Sequence, residues 1–520
     1  MATHPPRSFS VPPTHELRFE LESPSDALSI KVVHGYAELF GFELLPGRTY
    51  SFSHEQRGAV WAPGVNNEGA EVEMSPAPPS SCLDSVYVAS ESALPTYFNL
   101  HLALSRLRLL ARPSSFSLTR DLSQPDDEVQ PPRVLVVGER GAGKSTLVKM
   151  LLNWRNRAAR ATAPAPLQKE QGGGASGGAP GMTVVNLDPR DGQWTLPGTI
   201  GVVNTCALLP TTTPAASFGT SFSSGPPVPF PPPAAATGAE SPYVPPVNTD
   251  QYAALLDPLV YFVGHTSSTV NEPHYEMLMK SVADAARKKI DGEGVESWRA
   301  GLMVDTPGEW AEKKGGGWEK VKAAVREFEI NVLLVVGSER SYVEMSKLMN
   351  TNKTVTVVRV PKSDGASDLD LPTTSRLQAL QTRSYFYGGP PLTQGLLSPF
   401  SIIVHFSSLR IVRVGELAGS HAPTSALPLG ATSLMRDTEL VEVDLEGANA
   451  MRELVGRVLA VPMAEEETEG EEKVVKGPVM GFVWVSAIDQ AKKKVTLLSP
   501  LPGRLPRKTL IVGGIDWVDA

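Results

Sequence analysis

Residues 134–152 read VLVVGERGAGKSTLVKMLL and divide into three parts. Four apolar residues predict a buried strand, residues 138–145 (GERGAGKS) match the P-loop motif, and the residues that follow have the spacing of an amphipathic helix. The match is specific because both the strand before the glycine loop and the helix after it are present. The alternative is a glycine turn that joins two core elements and binds nothing. The stretch therefore predicts a nucleotide-binding domain built on a parallel sheet.

Each part of this motif has a physical task. Gly138 and Gly143 allow backbone angles that a Cβ would forbid, so successive N–H groups can face a phosphate. The positive end of the following helix favours the same anion. Lys144 is expected to reach the β- and γ-phosphates, and Ser145 to offer its hydroxyl to Mg²⁺.

Length and composition exclude several classes of protein. With 520 residues the chain is too long for one core, and 41% hydrophobic with 20% charged residues is typical of a globular protein. The net charge of −8 argues against broad electrostatic binding of nucleic acid. Only two cysteines are present, Cys82 and Cys206, so a zinc site is not expected. The low cysteine content also predicts a reducing compartment. No secretory signal and no stretch that could span a membrane is recognisable.

Three regions follow one another along the chain. Residues 1–112 carry alternating strand patterns and then a helical one, which predicts an N-terminal β-sandwich with a linking helix. In residues 113–391, apolar β-branched runs alternate with helical patterns, as a parallel α/β sheet requires. Strand patterns return in residues 392–520 and predict a smaller C-terminal α/β domain. Two insertions of low complexity, 160–181 and 210–247, are expected to be mobile surface loops.

Two aspartates end predicted strands of the middle region. Asp188 follows the apolar run 183–187 and is expected at the carboxyl edge of the sheet, where it can hold the Mg²⁺ shell or accept a proton from an acceptor hydroxyl. Asp305 follows LMV at 302–304 in the Walker B pattern. The alternatives are a strand-end cap for Asp188 and a turn-starting residue for Asp305.

Other candidates are weaker. The sequence DTPG that begins at Asp305 resembles a GTPase motif, but the expected guanine-reading NKxD has only NKTV at 352–355, which disfavours GTP. His265 and Lys362 both follow predicted strands and are expected to point at the same crevice. A structural or solvated histidine and a surface lysine are the alternatives, and they are favoured over catalysis or ligand contact.

Several strings in order along nearly the whole chain resemble one family, the eukaryotic polynucleotide 5′-hydroxyl kinases of the Clp type, which also serve as subunits of the pre-mRNA 3′-end cleavage factor. The strings are ELRFE at 16–20, GYAELFG at 35–41, the P-loop, LD at 187–188 with LPGT at 196–199, Gly264 with its Thr/Ser-rich loop, ERSY at 339–342, VPKS at 360–363, YFYG at 385–388 and LPLG at 427–430. Their order and their spread over all three regions make the resemblance specific.

The resemblance implies ATP with Mg²⁺ as cofactors. The residues that match the family's ATP site are Gly138, Gly141, Ala142, Gly143, Lys144, Ser145 and Thr146, with Glu16 and Arg57 at the adenine end. Where the chain has Arg57, the family commonly has lysine. In kinase-active members the aspartate that matches Asp188 serves the attack of a 5′-hydroxyl on the γ-phosphate, and a lid supplies arginines to the transition state. The Mg²⁺ ligands that the resemblance and the motif together imply are Ser145 and Asp188.

The chain departs from the kinase-active pattern in three places. Active members carry TDVGKS in the loop, whereas residues 140–145 read RGAGKS and lack the carboxylate. An aromatic residue should stack on the terminal base, but the aligned position is Glu309, next to Trp310 as a substitute. The lid should be dense in arginine, but residues 376–383 (RLQALQTR) contain two, with glutamines between them. Because an arginine finger contributes about 10³–10⁵ in rate, these losses can abolish turnover and leave ATP binding intact.

Three functions follow as hypotheses. The favoured one is an ATP-binding subunit of the nuclear pre-mRNA cleavage factor complex, needed for cleavage and polyadenylation, without kinase turnover. It implies two partners: a scaffold subunit, which itself binds the polymerase II tail, and RNA. No membrane partner is expected. The second is an active ATP-dependent polyribonucleotide 5′-hydroxyl kinase. The third, an NTPase that drives motion, is weaker because no repeat or oligomer signature is visible.

Overall fold

The computed structural model describes most of the chain. The described residues are 6–53, 55–76, 82–111, 129–162, 180–209, 258–292, 294–312, 317–350, 354–388, 398–415, 438–447, 449–500 and 503–519. The two predicted insertions lie largely outside these ranges. Within them, the helix that follows the P-loop continues to Thr162, so the first three residues of the predicted insertion 160–181 are helical and not part of a loop.

The N-terminal segment is a β-sandwich followed by a helix. Its elements are β1 Arg7–Val11, β2 Glu16–Glu20, β3 Ala27–His34, β4 Ala37–Leu39, β5 Phe42–Leu44, β6 Thr49–Ser53, β7 Arg57–Trp61, β8 Ala70–Pro76, β9 Tyr87–Ala89 and α1 Leu94–Leu110. One sheet has the order β1-β8-β3-β6 and the other β5-β4-β7-β2-β9. Apolar side chains of both sheets share one core, in which the rings of Phe19 and Phe52 lie 5.0 Å apart. The predicted β-sandwich is confirmed.

The middle segment carries the elements of an α/β fold. They are β10 Arg133–Gly138, α2 Lys144–Thr162, β11 Met182–Asn186, β12 Thr199–Thr205, β13 Leu259–Phe262, α3 Glu272–Gly292, α4 Val295–Ala300, β14 Leu302–Asp305, α5 Gly317–Glu327, β15 Val332–Val336, α6 Glu339–Met349, β16 Thr356–Val360 and α7 Leu371–Tyr387. A single 3-10 turn, Gly308–Ala311, follows β14.

The last segment consists, among its described residues, of strands, three short α-helices and the 3-10 turn Phe406–Ser408. They are β17 Phe400–His405, β18 Arg410–Val414, β19 Leu440–Glu442, α8 Ala450–Leu454, β20 Arg457–Pro462, α9 Glu466–Glu469, α10 Glu471–Lys476, β21 Val479–Asp489, β22 Lys494–Ser499 and β23 Thr509–Asp516.

These elements form two compact units. The first comprises residues 1–185, 204–219 and 286–377, and the second comprises residues 186–203, 220–285 and 378–520. The first unit therefore contains the β-sandwich and the P-loop, whereas the second contains Asp188 and the last segment.

A parallel sheet positions the P-loop in the first unit. Its strand order is β11-β14-β10-β15-β16, and β10 runs parallel to both β14 and β15. The register pairs Val136 with Asp305 and Gly138 with Val336. The carboxyl ends of three strands therefore meet beside the glycine loop, where ligands of parallel α/β sheets bind. The predicted P-loop α/β domain is confirmed.

The second unit is organised around a seven-stranded sheet of order β17-β22-β21-β20-β23-β18-β19. Strands β18 and β23 are parallel, and β20 is antiparallel to both of its neighbours. Along β20, Val458 and Ala460 belong to one core, and Leu459 and Val461 to another. Both faces of the sheet are thus covered, which explains why the strand reads as a continuous apolar run. In the same unit, β12 pairs with β13 in antiparallel orientation.

Among the described residues, none of the helices combines the length and the apolar character that crossing a bilayer requires.

Candidate nucleotide-binding site

The glycine loop has the expected positive φ at Gly143 but not at Gly138, and Gly141 has one instead. Strand β10 ends at Gly138 and α2 begins at Lys144. Gly141 and Gly143 have φ values of +67° and +84°, in the left-handed region that side chains with a Cβ rarely occupy. A Cβ on Gly138 would come within 2.8 Å of the carbonyl oxygen of Val336. The loop can therefore adopt this backbone path and pack against β15 only because these positions are glycine.

The lysine of the motif is folded into the loop. Lys144 is 7% exposed, and its Nζ donates a hydrogen bond to the carbonyl oxygen of Glu139 at 3.1 Å. The first bond of α2 runs from the Leu147 amide to the Gly143 carbonyl at 2.9 Å. Ala142 is 3% exposed and anchors the loop. A cation and the N-terminal end of α2 thus lie together, which is the electrostatic environment that phosphate groups require.

The structure brings the P-loop serine to the aspartate of the Walker B pattern. Ser145 Oγ donates to Asp305 Oδ2 at 2.5 Å, and Asp305 is fully buried. The neighbouring Thr306 hydroxyl donates to the carbonyl of Val136 at 2.7 Å and fastens β14 to β10. Hydroxyl and carboxylate oxygens are ligands that Mg²⁺ prefers, so this pair fits a magnesium nucleotide. Asp305 therefore lies in the site, in contrast to the alternative of a turn residue.

No group of three or more His, Cys, Asp or Glu side chains that could hold a metal occurs in the described part of the chain. Any Mg²⁺ at Ser145 and Asp305 would thus take its other ligands from the nucleotide and water. This is how Mg²⁺ is usually bound, by one or two protein oxygens together with phosphates.

A segment after β16, residues 361–370, lies against the glycine loop. A Cβ on Gly141 would stand 2.4 Å from the amide nitrogen of Asp368, and one on Gly143 would stand 3.3 Å from Ala366 Cβ. Sequence reasoning selected Lys362 in this segment but not Ala366 or Asp368. The position of this segment after a predicted strand could have indicated it. Strand β16 is parallel to β15, so its carboxyl end lies at the same edge of the sheet as the P-loop.

Glu16 is a buried carboxylate on β2. It is 1% exposed, and Arg18 donates to its Oε1 from Nε at 3.2 Å and from Nη2 at 2.5 Å. Burial raises the pKa of Glu16, the hydrogen bond and charge of Arg18 oppose this, and Asp364 on the segment after β16 raises it further. Glu16 therefore lies within electrostatic reach of the segment that contacts the P-loop.

Arg57 contacts the same segment directly. Its Nη1 donates to Ser367 Oγ at 2.5 Å, and its Nη2 forms an ion pair with Glu20 at 2.6 Å. The two sandwich residues predicted for the adenine end, and Gly141 and Gly143 of the loop, thus all lie near residues 361–370 of the first unit. Ser367, one of their contacts, was missed because it is 310 residues away from Arg57 in the sequence.

The first lid arginine is engaged by a carboxylate of the sandwich. Arg376 donates to Glu55 from Nε at 3.0 Å and from Nη2 at 2.5 Å, and the Thr373 hydroxyl adds a bond to Glu55 at 3.3 Å. Glu55 is 8% exposed and has a φ of +58°. The hydrogen bond from Arg376 lowers the pKa of Glu55, so the pair is charged at neutral pH.

The lid glutamines fasten the later part of α7 to the loop after β11, and both of these stretches belong to the second unit. Gln381 is 3% exposed, and its amide donates to the carbonyls of Asp191, Gly192 and Thr195 at 2.9–3.0 Å. Gln378 donates to the Arg190 carbonyl at 2.8 Å. The glutamines between the two lid arginines thus have a structural role, whereas Arg383 is exposed.

Asp188 belongs to the second unit and follows β11, as predicted. It is partly buried, and its Oδ1 accepts a hydrogen bond from the Arg190 amide at 3.0 Å. The side chain of Asn186 accepts from the Asp188 amide at 3.1 Å and fixes the turn. One oxygen of the Asp188 carboxylate is thus hydrogen-bonded within its own turn.

The remaining candidates differ in exposure. Trp310 is 1% exposed, so in this conformation it is not available to stack on a terminal base, and the neighbouring Glu309 is only partly buried. Lys362 is exposed. Burial, aided by Arg457, lowers the pKa of His265, which favours its neutral form. The residues NK at 352–353 of the disfavoured guanine motif lie outside the described residues.

Three family descriptions match successive parts of the chain. They are the N-terminal beta-sandwich domain of polyadenylation factor at residues 10–111, the mRNA cleavage and polyadenylation factor CLP1 P-loop at 235–388, and the pre-mRNA cleavage complex II protein Clp1 at 397–519.

Relatives match over nearly their whole length. The chain is 32% identical to the mRNA cleavage and polyadenylation factor CLP1 of Laccaria bicolor, over 98% of each protein. It is 31% identical to the CLP1 homolog of Arabidopsis thaliana, over 97% of this chain and 93% of that protein.

Solved structures share the fold. A wild-type Clp1p–Pcf11p complex matches with a TM-score of 0.74 and 21% identity, and covers 100% of both chains. A second structure, which addresses an extended Pcf11p–Clp1p interface and ATP loss in a glycine-to-arginine mutant, matches with a TM-score of 0.73 over 99% of each chain. With the sandwich, the P-loop sheet and these full-length relatives together, the chain belongs to the CLP1 family of mRNA cleavage and polyadenylation factors.

Proposed function

We propose that this protein is an ATP-binding subunit of the nuclear pre-mRNA cleavage factor complex, required for the endonucleolytic cleavage that precedes polyadenylation. In this proposal ATP is a bound structural component and is not turned over by a kinase reaction. The family membership supports the role in mRNA cleavage and polyadenylation, and the P-loop supports the binding of ATP.

The observation that carries the ATP proposal is the Ser145–Asp305 hydrogen bond of 2.5 Å beside the buried Lys144. These groups fit a magnesium triphosphate, with Lys144 on the phosphates and the oxygens of Ser145 and Asp305 towards the metal. The proposed nucleotide-binding residues are Glu16, Arg57, Gly138, Gly141, Ala142, Gly143, Lys144, Ser145 and Thr146. Asp188 remains proposed as a magnesium ligand and, if the protein is active, as the catalytic carboxylate.

The loss of kinase turnover is supported by the use of the lid. Arg376 is paired with Glu55, and Gln381 is buried against three carbonyls. Neither side chain is available, in this arrangement, to stabilise a transferring phosphoryl group. Because such arginines contribute about 10³–10⁵ in rate, a lid that has only two arginines, one of them paired with Glu55, favours binding without turnover.

The partner proposed is a scaffold subunit related to Pcf11p, because Pcf11p is bound in solved complexes of the same fold. RNA is proposed as a further ligand of the assembled complex. We also propose the division into residues 1–112, 113–391 and 392–520 as sandwich, ATP-binding and C-terminal domains.

The alternative is an active ATP-dependent polyribonucleotide 5′-hydroxyl kinase. The intact loop around Lys144, the exposure of Arg383 and the partial exposure of Asp188 favour it. The P-loop is needed under either function, so only turnover separates them.

The test is phosphoryl transfer by the purified full chain. The protein, and Lys144→Ala as control, are incubated with Mg²⁺, γ-labelled ATP and a 5′-hydroxyl oligoribonucleotide, and the nucleotide that survives purification is identified by mass spectrometry. We expect co-purified ATP in the unaltered protein and no label on the RNA. Robust label transfer that Lys144→Ala abolishes would replace this proposal with the kinase.

A further inference from the structure

The turn between β6 and β7 of the sandwich carries an unusual residue. Glu55 has a φ of +58°, which non-glycine residues rarely adopt, and only 8% of it is exposed. Such conformations persist where the surroundings hold them and often mark functional positions. Here the conformation directs the carboxylate of Glu55 onto the guanidinium of Arg376, with bonds of 3.0 and 2.5 Å.

The Arg376 side of this pair is itself fixed. Arg376 Nη2 donates to the Thr373 hydroxyl at 2.9 Å, and this hydroxyl donates to Glu55 at 3.3 Å. The first turn of α7 is capped by Asp370, whose Oδ1 accepts from the Thr373 amide at 3.0 Å. Glu55 therefore holds the beginning of α7 through three side-chain hydrogen bonds.

The beginning of α7 continues the segment that covers the P-loop. Asp368, two residues before Asp370, is the residue whose amide lies against Gly141. On the same segment, Ser367 accepts a hydrogen bond from Arg57, two residues after Glu55. Glu55 and Arg57, at the turn between β6 and β7, thus hold residues 376 and 367. These two contacts flank residues 368–375, and Asp368 at the start of that stretch lies against the P-loop.

We propose that Glu55 is a positioning residue that latches residues 361–376 over the P-loop through Arg376, and that this latch sets the rate at which a bound nucleoside triphosphate leaves. The proposal rests on the ATP-binding function proposed above. The P-loop contributes affinity, whereas the latch controls exit, since residues 366–368 lie directly on Gly141 and Gly143.

A latch made of opposite charges has two properties that a purely structural contact lacks. Salt screens the pair and weakens it, because the Arg376 side chain is 48% exposed to solvent. It is also restored when the two charges are exchanged between positions 55 and 376. Charge-assisted bidentate bonds are among the stronger hydrogen bonds in proteins, so their loss is expected to be measurable.

The experiment measures dissociation of ATP itself. The full chain is loaded with α-labelled ATP and Mg²⁺, chased with excess unlabelled ATP, and the retained label is followed by filter binding at two salt concentrations. We expect Glu55→Gln and Arg376→Gln each to release ATP about tenfold faster than the unaltered protein. The double variant Glu55→Arg with Arg376→Glu should regain most of the slow rate, and salt should accelerate release only where the pair is present.

The matched control is Glu319→Gln, which removes an exposed ion pair with Lys322 on α5 and should leave the release rate unchanged. Circular dichroism and thermal melting check that each variant folds, and Arg376→Gln provides an independent route if Glu55→Gln does not. Equal release rates in the unaltered protein, Glu55→Gln and Arg376→Gln, with ATP bound in all three, would overturn the latch and leave the proposed function standing. Failure of the unaltered protein to retain ATP would overturn both.

Discussion

Ser145 and Asp305 are joined by a 2.5 Å hydrogen bond although 160 residues separate them in the sequence. The bond forms because β10 and β14 are parallel neighbours, in a register that pairs Val136 with Asp305 and brings the carboxyl end of β14 beside the start of α2. The hydroxyl expected to reach Mg²⁺ is thus held by a buried carboxylate of the protein itself. Such preorganisation lowers the cost of binding, because the side chains need not be ordered again.

The first prediction concerns this carboxylate. Asp305→Asn keeps the shape and the hydrogen-bond acceptor for Ser145 but removes the negative charge. We expect the affinity for ATP to fall about 10- to 100-fold in the presence of Mg²⁺ and to change little in EDTA, since groups of this kind tune metal binding. Isothermal titration with and without Mg²⁺ tests this, with the exposed Asp291→Asn as control. An equal loss in both buffers would mean that Asp305 acts on folding or on the nucleotide alone.

The second prediction concerns the lysine of the loop. Lys144→Ala should weaken ATP binding and remove the stabilisation that saturating ATP gives. A ligand at 100 times its dissociation constant adds about 2.7 kcal/mol to the free energy of unfolding. Thermal melting with and without ATP measures the effect, and Lys322→Ala on α5 should melt like the unaltered protein. A melting temperature of the unaltered protein that does not respond to ATP would contradict the prediction.

The third prediction concerns the contact between the sandwich and α2. Glu38 is 5% exposed and accepts hydrogen bonds from Trp154 Nε1 at 2.7 Å, from the Tyr36 hydroxyl at 2.5 Å and from Arg157. Glu38→Gln places an amide donor among three donors and should lower the free energy of unfolding by about 2 kcal/mol. Urea unfolding measures it, and the exposed Glu68→Gln should change stability by less than about 0.5 kcal/mol. If both variants unfold at the same urea concentration, this network does not stabilise the fold.

The fourth prediction is a pH dependence that arises from Lys149. This residue of α2 is 4% exposed, lies 5.4 Å from the ring centre of Phe40, and has a pKa lowered by burial to about 7. Between that pKa and the ordinary value of about 10.4, the unfolded chain binds a proton that the folded chain does not. Stability therefore rises with pH in this window, by at most about 1.4 kcal/mol per pH unit from this group.

The measurement compares the unaltered protein with Lys149→Met, which keeps the length of the side chain. Urea unfolding between pH 7 and pH 9 should give a free energy of unfolding that rises with pH more steeply in the unaltered protein than in the variant. Parallel pH profiles in the two proteins would show that Lys149 stays protonated in the fold.

Some features followed from the sequence because they are local. The P-loop was predictable since strand, glycines, lysine and helix are consecutive in residues 134–152. The positive φ of Gly143 was expected from this order, whereas the second such angle was expected at Gly138 and occurs at Gly141. The sandwich was predictable since strands with one buried face alternate apolar and polar residues. Glu16 and Arg57 entered only through the family resemblance.

Other features were decided by the tertiary structure alone. Glu55 and Arg376 are 321 residues apart, and Arg57 and Ser367 are 310 apart. Periodicity fixes which side of an element faces the core, but the partner of a polar side chain depends on where distant segments return to one another. For the same reason the sequence did not reveal that Trp310 is buried or that Gln381 caps three carbonyls. The sequence alone thus determined where the glycine loop, its lysine and the following helix lie, because they are consecutive, and the fold decided which distant charges lie around them.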